Sequence, residues 1–154
     1  MLEDSGPKED LLKGALAGLI AAGISAAAWA AIALMTDRQF GFAAIAIGAF
    51  VGLAVRWAGH GRSGAAGILG AACSLLAIAA GNILAVAVLV ARDLGAPLTD
   101  VLAMLDFDIM WQVLTQDFSL LDGVFYAFAL YEGFRFALVQ TPKLAAPVPH
   151  TPVA

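Results

Sequence analysis

Residues Gly48–Gly67 read GAFVGLAVRWAGHGRSGAAG. The stretch is apolar enough for a bilayer as far as Val55. It is then cut by Arg56, His60 and Arg62, and glycines punctuate it throughout. Two structures put glycine and cations together in this way: a loop that grips phosphate, and a turn between two membrane helices. A phosphate loop needs a strand before it, a helix after it and a lysine for the phosphates. The segment GHGRSGAAG has no lysine, and an apolar run of helical length precedes it. The turn accounts for every residue. Gly59 and Gly61 supply backbone freedom to reverse the chain, and Arg56, His60 and Arg62 hold the loop on the cytoplasmic side.

Composition supports membrane helices on either side of that turn. Of the 154 residues 62% are hydrophobic and 13% charged, against roughly 25% charged in soluble domains. Mean hydropathy is +0.90. A body of this size has too little interior to hide that much apolar surface from water, so lipid is its natural solvent. The net charge of -4 includes no basic tract, which excludes nucleic acid as a partner. The single cysteine, Cys73, excludes an internal disulfide and a cysteine zinc cluster.

Four uncharged or nearly uncharged stretches predict four spans of one domain, residues 14–139. Gly14–Met35 is free of charge and about the 20 residues that cross a bilayer core. Ala28-Trp29-Ala30 has the small-x-small form of a signal-peptide cleavage site, but the segment before it is acidic where a signal peptide is basic. A polar turn, Thr36-Asp37-Arg38-Gln39, leads to the second span at about 40–58. The third, about 64–91, is longer than needed and should tilt or protrude. Arg92 to Pro97 ends it with Gly95 and Pro97. In 98–118, Leu98, Val101, Leu102, Leu105, Ile109 and Val113 recur at helical spacing among aspartates, which predicts one amphipathic helix on the membrane surface or, alternatively, a small helix capping the others. The fourth span, 120–139, holds Asp122, Glu132 and Arg135. A polar arm, 1–13, precedes the spans, and a proline-rich tail, 140–154, should be disordered.

Lys and Arg placement sets orientation. With the N-terminus cytoplasmic, Lys8, Lys13, Arg56, Arg62, Arg135 and Lys143 lie inside, and Arg38 and Arg92 outside. Both termini are therefore expected in the cytoplasm, with the acidic helix outside.

Small residues recur at steps of three and four. The first span offers Gly14, Gly18, Ala21, Ser25 and Ala28; the second Gly41, Ala44, Gly48 and Gly52; the third Gly67, Gly70, Ser74, Ala77 and Gly81. Apolar burial does not drive helices together in lipid, whereas close backbone approach at small residues does. The stripes predict a tight bundle of the first three spans. The combination of Trp29, Phe40-Gly41, Gly48-Ala-Phe-Val-Gly52-Leu-Ala-Val-Arg56 and Gly59-His-Gly61 resembles small multi-pass proteins of the bacterial cytoplasmic membrane that carry a glycine-rich helical hairpin. The resemblance covers roughly residues 14–92 and implies a membrane fold without implying an activity. Some such proteins carry an N-terminal zinc ribbon; this chain has none, so no metal is implied.

Glu132 and Arg135 sit one helical turn apart, and an acid inside a span is a functional-site candidate by default. Glu132 is either a proton or ion relay, or an ion-pair partner of Arg135 or Arg56 near the inner interface. Asn82, in mid-span, is placed to bond across to another helix or to touch a substrate. Asp106, Asp108 and Asp117 lack the alternation, central glycine and closing glutamate of a calcium loop. Trp29, Trp57 and Trp111, with Tyr126 and Tyr131, are expected to include interface anchors, and Trp57 beside Arg56 fits that role best. His60 and His150 have no catalytic companions at a recognisable spacing. The expectation is an all-α integral membrane four-helix bundle with an extra amphipathic surface helix and no cofactor. It is not an enzyme. It serves as scaffold, assembly factor or subunit, with the lipid bilayer and another membrane protein or its own copy as partners. The alternative is a transporter or channel component with a polar path through Asn82 and Glu132.

Overall fold

The computed structural model describes residues 8–36, 42–115 and 119–138. Six helices and no strand occur among them: α1 (Leu11–Thr36), α2 (Ala43–Gly59), α3 (Gly64–Leu94), α4 (Leu98–Ala103), α5 (Phe107–Thr115) and α6 (Leu120–Ala137). At 1.5 Å per residue, α1 and α3 are about 39 and 46 Å long, and α2 and α6 about 25 and 27 Å. Two helices, α1 and α3, are long and apolar enough to cross a membrane. The pair α5 and α6 also qualifies if it is taken as one sharply bent span. By that measure α2 falls one residue short in length, and α6 carries three charges, Asp122, Glu132 and Arg135. The polar turn at 37–39, the start of the second predicted span at Phe40 and Gly41, Asp117, and the tail with Lys143 and His150 lie outside the described residues.

The contacts fix the helix directions. Gly18 lies against Cys73 and Gly81 against Trp29, so α1 and α3 run parallel. Gly48 lies against Ala129 and Gly52 against Gly133, so α2 and α6 also run parallel. Gly67 meets Phe134 while Asn82 bonds Tyr126, so α3 opposes α6. The two pairs thus run in opposite directions. Each of α2 and α3 touches both α1 and α6, whereas α1 and α6 make no contact with each other among the described residues.

Packing is the inverse of a water-soluble protein. The buried residues are mostly alanine and glycine, and the largest fully buried side chains are Ile78, Val51 and Val55. Leucine, isoleucine and phenylalanine face outward instead, among them Leu16, Leu19, Ile20, Ile24, Phe50 and Leu76. Trp29 is the one buried tryptophan, lying in the core beside Gly81, so it is no interface anchor. Trp57 is 85% exposed.

Three sequence expectations change. The surface helix over 98–118 is two helices, not one. Asp106 breaks it: its Oδ1 accepts from the Ile109 amide at 2.8 Å and so starts α5 afresh. Nor do the two pieces lie apart, since α4 and α5 both pack on α3, with Val101 buried against Ala87 and Ala91. Second, the α2–α3 turn takes its left-handed residue from His60 (φ 50°), not from a glycine. Gly59 and Gly61 are needed for closeness: a methyl on Gly59 would come within 2.9 Å of the Asp10 carbonyl, and one on Gly61 would strike Ala137. Third, the close packing is not confined to the first three long helices. Gly48, Gly52, Gly67 and Gly70 all lie against α6. On α1, Ala28 faces outward and the buried stripe passes through Trp29 instead.

Candidate functional site

Asn82, Glu132 and Arg135 bring polar chemistry into the packed helices, and α6 is the element common to their contacts. Its start is set by a capping box. Ser119 Oγ accepts from the Asp122 amide at 3.2 Å, and Asp122 Oδ2 accepts in return from the Ser119 amide at 3.0 Å. From there Ala129, Gly133 and Ala137 recur every fourth residue and are buried, which lays one small-residue stripe against α2 and α3.

Around Gly133 three backbones converge. A methyl on Gly52 would come within 2.6 Å of the Gly133 carbonyl oxygen. A methyl on Gly70 would strike the same carbonyl, and one on Gly133 would strike Ser74 Oγ. Ser74 Oγ donates to the Gly70 carbonyl at 2.8 Å, within its own helix, and lies 3.5 Å from the Gly48 carbonyl. Two turns along α3, Asn82 Nδ2 donates to Tyr126 Oη at 2.7 Å. This ties α3 to α6 by a part-buried side-chain bond, in surroundings less polar than bulk water.

Glu132 is adjacent in sequence to that convergence. Its side chain is 19% exposed, and its Oε1 lies 4.0 Å from Arg135 Nη1, at the limit of an ion pair. Oε2 is buried with no hydrogen-bond partner. Arg135 lies 5.7 Å from the Phe136 ring centroid. Arg56, half-buried on α2, makes no ion pair with a described residue. The structure thus brings Asn82 to Tyr126 and Glu132 to Arg135, and it does not join the two sets. Six residues separate Tyr126 from Glu132, which sets them about 120° apart around α6 and about 9 Å apart along it.

A second polar cluster, unread in the sequence, holds the N-terminal arm to the α2–α3 turn. Glu9 Oε1 accepts from Ser63 Oγ at 2.6 Å, and Oε2 accepts from the Ser63 and Arg62 amides at 2.9 and 3.0 Å. The Asp10 amide donates to the Gly59 carbonyl at 2.9 Å. The Ser63 hydroxyl, with the Arg62 amide next, holds the Glu9 carboxyl below its usual range. Asp10 is likewise lowered, by the Lys13 amide and then the Lys13 ammonium at 3.1 Å. Ser63 is the N-cap of α3 but caps nothing with its own side chain; the Glu9 carboxylate instead binds the amides of Arg62 and Ser63, just before the helix, where the positive end of the helix favours an anion. The only sequence signal was an acid in the arm and a serine before an apolar run, fifty-four residues apart.

Among the described residues no group of three metal-ligating side chains converges. Asp106, Asp108 and Asp100 are all exposed, and Asp106 spends an oxygen on its own helix. Comparison with models of protein families, with curated proteins and with solved structures brings no match to this chain.

Proposed function

We propose that the chain is a multi-pass integral membrane protein that serves, without catalysis of its own, as a scaffold, assembly factor or subunit of a membrane complex. Four spans, α1, α2, α3 and α6, form the membrane bundle, with both termini cytoplasmic in a bacterial cytoplasmic membrane. The observation that carries the reading is the inverted packing: alanine and glycine inside, leucine, isoleucine and phenylalanine outside. Such a surface is an aggregation hazard in water and the ordinary surface of a protein in lipid. Close backbone approach at Gly48, Gly52 and Gly70, with Gly67 and Gly81 making room for the Phe134 and Trp29 rings, then supplies helix association where apolar burial cannot. The short helices α2 and α6 fall slightly below a hydrocarbon core of about 30 Å, a mismatch that local thinning and the snorkelling of Arg56 and Arg135 absorb.

The test is biochemical. The intact chain should resist carbonate extraction, and a cysteine at Arg62 should label from the cytoplasm while one at Asp106 labels from outside. Labelling of both from one compartment would refute the layout. Affinity purification in mild detergent should then retain a stoichiometric membrane partner.

One observation favours a second reading, a transporter or channel component: Glu132 Oε2 is buried and without a partner, and acids of that kind mark ion pathways. Glu132→Gln in liposomes separates the two. Abolished flux with the fold intact supports transport; unchanged flux with the partner retained supports the subunit.

A further inference from the structure

Helix α5 is nine residues long and buries none of them. Its one helix neighbour among the described residues is α3, and Met110, Val113 and Leu114 are partly covered. The remaining arc is mixed. Phe107 and Trp111 stack with ring centroids 6.5 Å apart, and they are 73% and 60% exposed. Met104, in the turn before α5, is 71% exposed. Asp108 lies on the same open arc with no cation partner among the described residues, and Asp100 and Asp106 are exposed close by in sequence. Arg92, the one described cation at this end, is 3.2 Å from Asp93.

Stacked aromatics and a methionine, flanked in sequence by exposed aspartates, have the composition of a protein docking patch. Trp, Phe and Met are enriched in such patches, and the anchor residues are commonly aromatic. The charge narrows the occupant. A second copy would present the same acids and repel. An anionic lipid surface would repel as well, since membranes draw basic segments. We propose that α5 and the turn before it form a docking face for a basic amphipathic segment of a partner protein, its apolar side on Phe107, Trp111 and Met104 and its cations on Asp100 and Asp108. This rests on the subunit reading and names the partner's chemistry.

The experiment uses the full chain in zwitterionic nanodiscs and a synthetic helical peptide of alternating lysine and leucine turns, with a glutamate–leucine peptide as control. Affinity is read by fluorescence anisotropy. The lysine peptide should bind and the glutamate peptide should not. Trp111→Ala should weaken binding at least tenfold, and Asp100→Asn with Asp108→Asn should do the same while removing most of the salt dependence. Both sets of positions are exposed, and circular dichroism verifies that the variants keep their helix content. Benzoylphenylalanine at position 107 should cross-link to the lysine peptide. Cross-linking to nanodisc lipid that the peptide does not displace would overturn the proposal in favour of a membrane-inserted face. Equal binding of both peptides, or binding unchanged in the variants, would overturn it too. Such a failure leaves co-purification of a partner unaffected, whereas failure of the subunit reading removes that partner irrespective of α5.

Discussion

At the level of single residues, the glycines divide into two kinds that sequence alone does not separate. Gly48 faces the Ala129 backbone and has no room for a methyl, whereas Gly23, on an equally apolar helix, has open space around it. Gly48→Val should therefore cost about 1–3 kcal/mol, the usual penalty of overpacking. Gly23→Val should be close to neutral. Thermal unfolding of both variants in the same detergent checks the contrast, and equal effects would mean that α6 does not pack as described. Glu9 makes a different residue-level prediction. Its carboxyl is held below the ordinary glutamate value of 4.5, so the folded state binds its proton less readily than the unfolded chain does. The clamp's contribution is then fully present above that value and disappears as pH falls through the lowered one. The protection of the Arg62 and Ser63 amides, taken relative to the intrinsic exchange rate at each pH, should fall in that acid window, and Glu9→Gln should show lower protection at neutral pH with no acid step.

Among the elements, the long apolar helices were legible because uncharged length is a direct property of composition: Gly14–Met35 predicts α1 to within three residues at its start and one at its end. The break between α4 and α5 was not legible in the same way. The apolar spacing continues across it, and only Asp106 marks the restart, through a bond to the Ile109 amide that periodicity does not register. Asp106→Ala should remove that cap at a cost of about 1 kcal/mol and fray the first turn of α5. Amide exchange at Ile109 and Met110 would report it, and unchanged protection would show that the cap contributes nothing. The same limit applies to the site. Asn82 was visible as a polar group in an apolar run, but its partner Tyr126 depends on how α6 docks, and that follows from contacts made forty-four residues away. In sequence His60 reads as a basic anchor, whereas its left-handed backbone is what turns the chain.

For the molecule as a whole, the arrangement leaves α2 and α3 in the middle with α1 and α6 on their two flanks, touching them but not each other. During synthesis the first three long helices can settle before α6 emerges, yet the faces of Gly48, Gly52 and Gly70 then stand uncovered. A chain that stalls before residue 119 would display those unfilled seams, and such a fragment should be the more readily degraded. It also follows that α6 is separable. Fragments divided within 104–106 and co-expressed should reassemble into a species of native detergent stability, while the first fragment alone is degraded faster than the full chain. Pulse-chase with and without the second fragment measures this, and equal lifetimes would mean that the last helix arrives at a surface already complete without it.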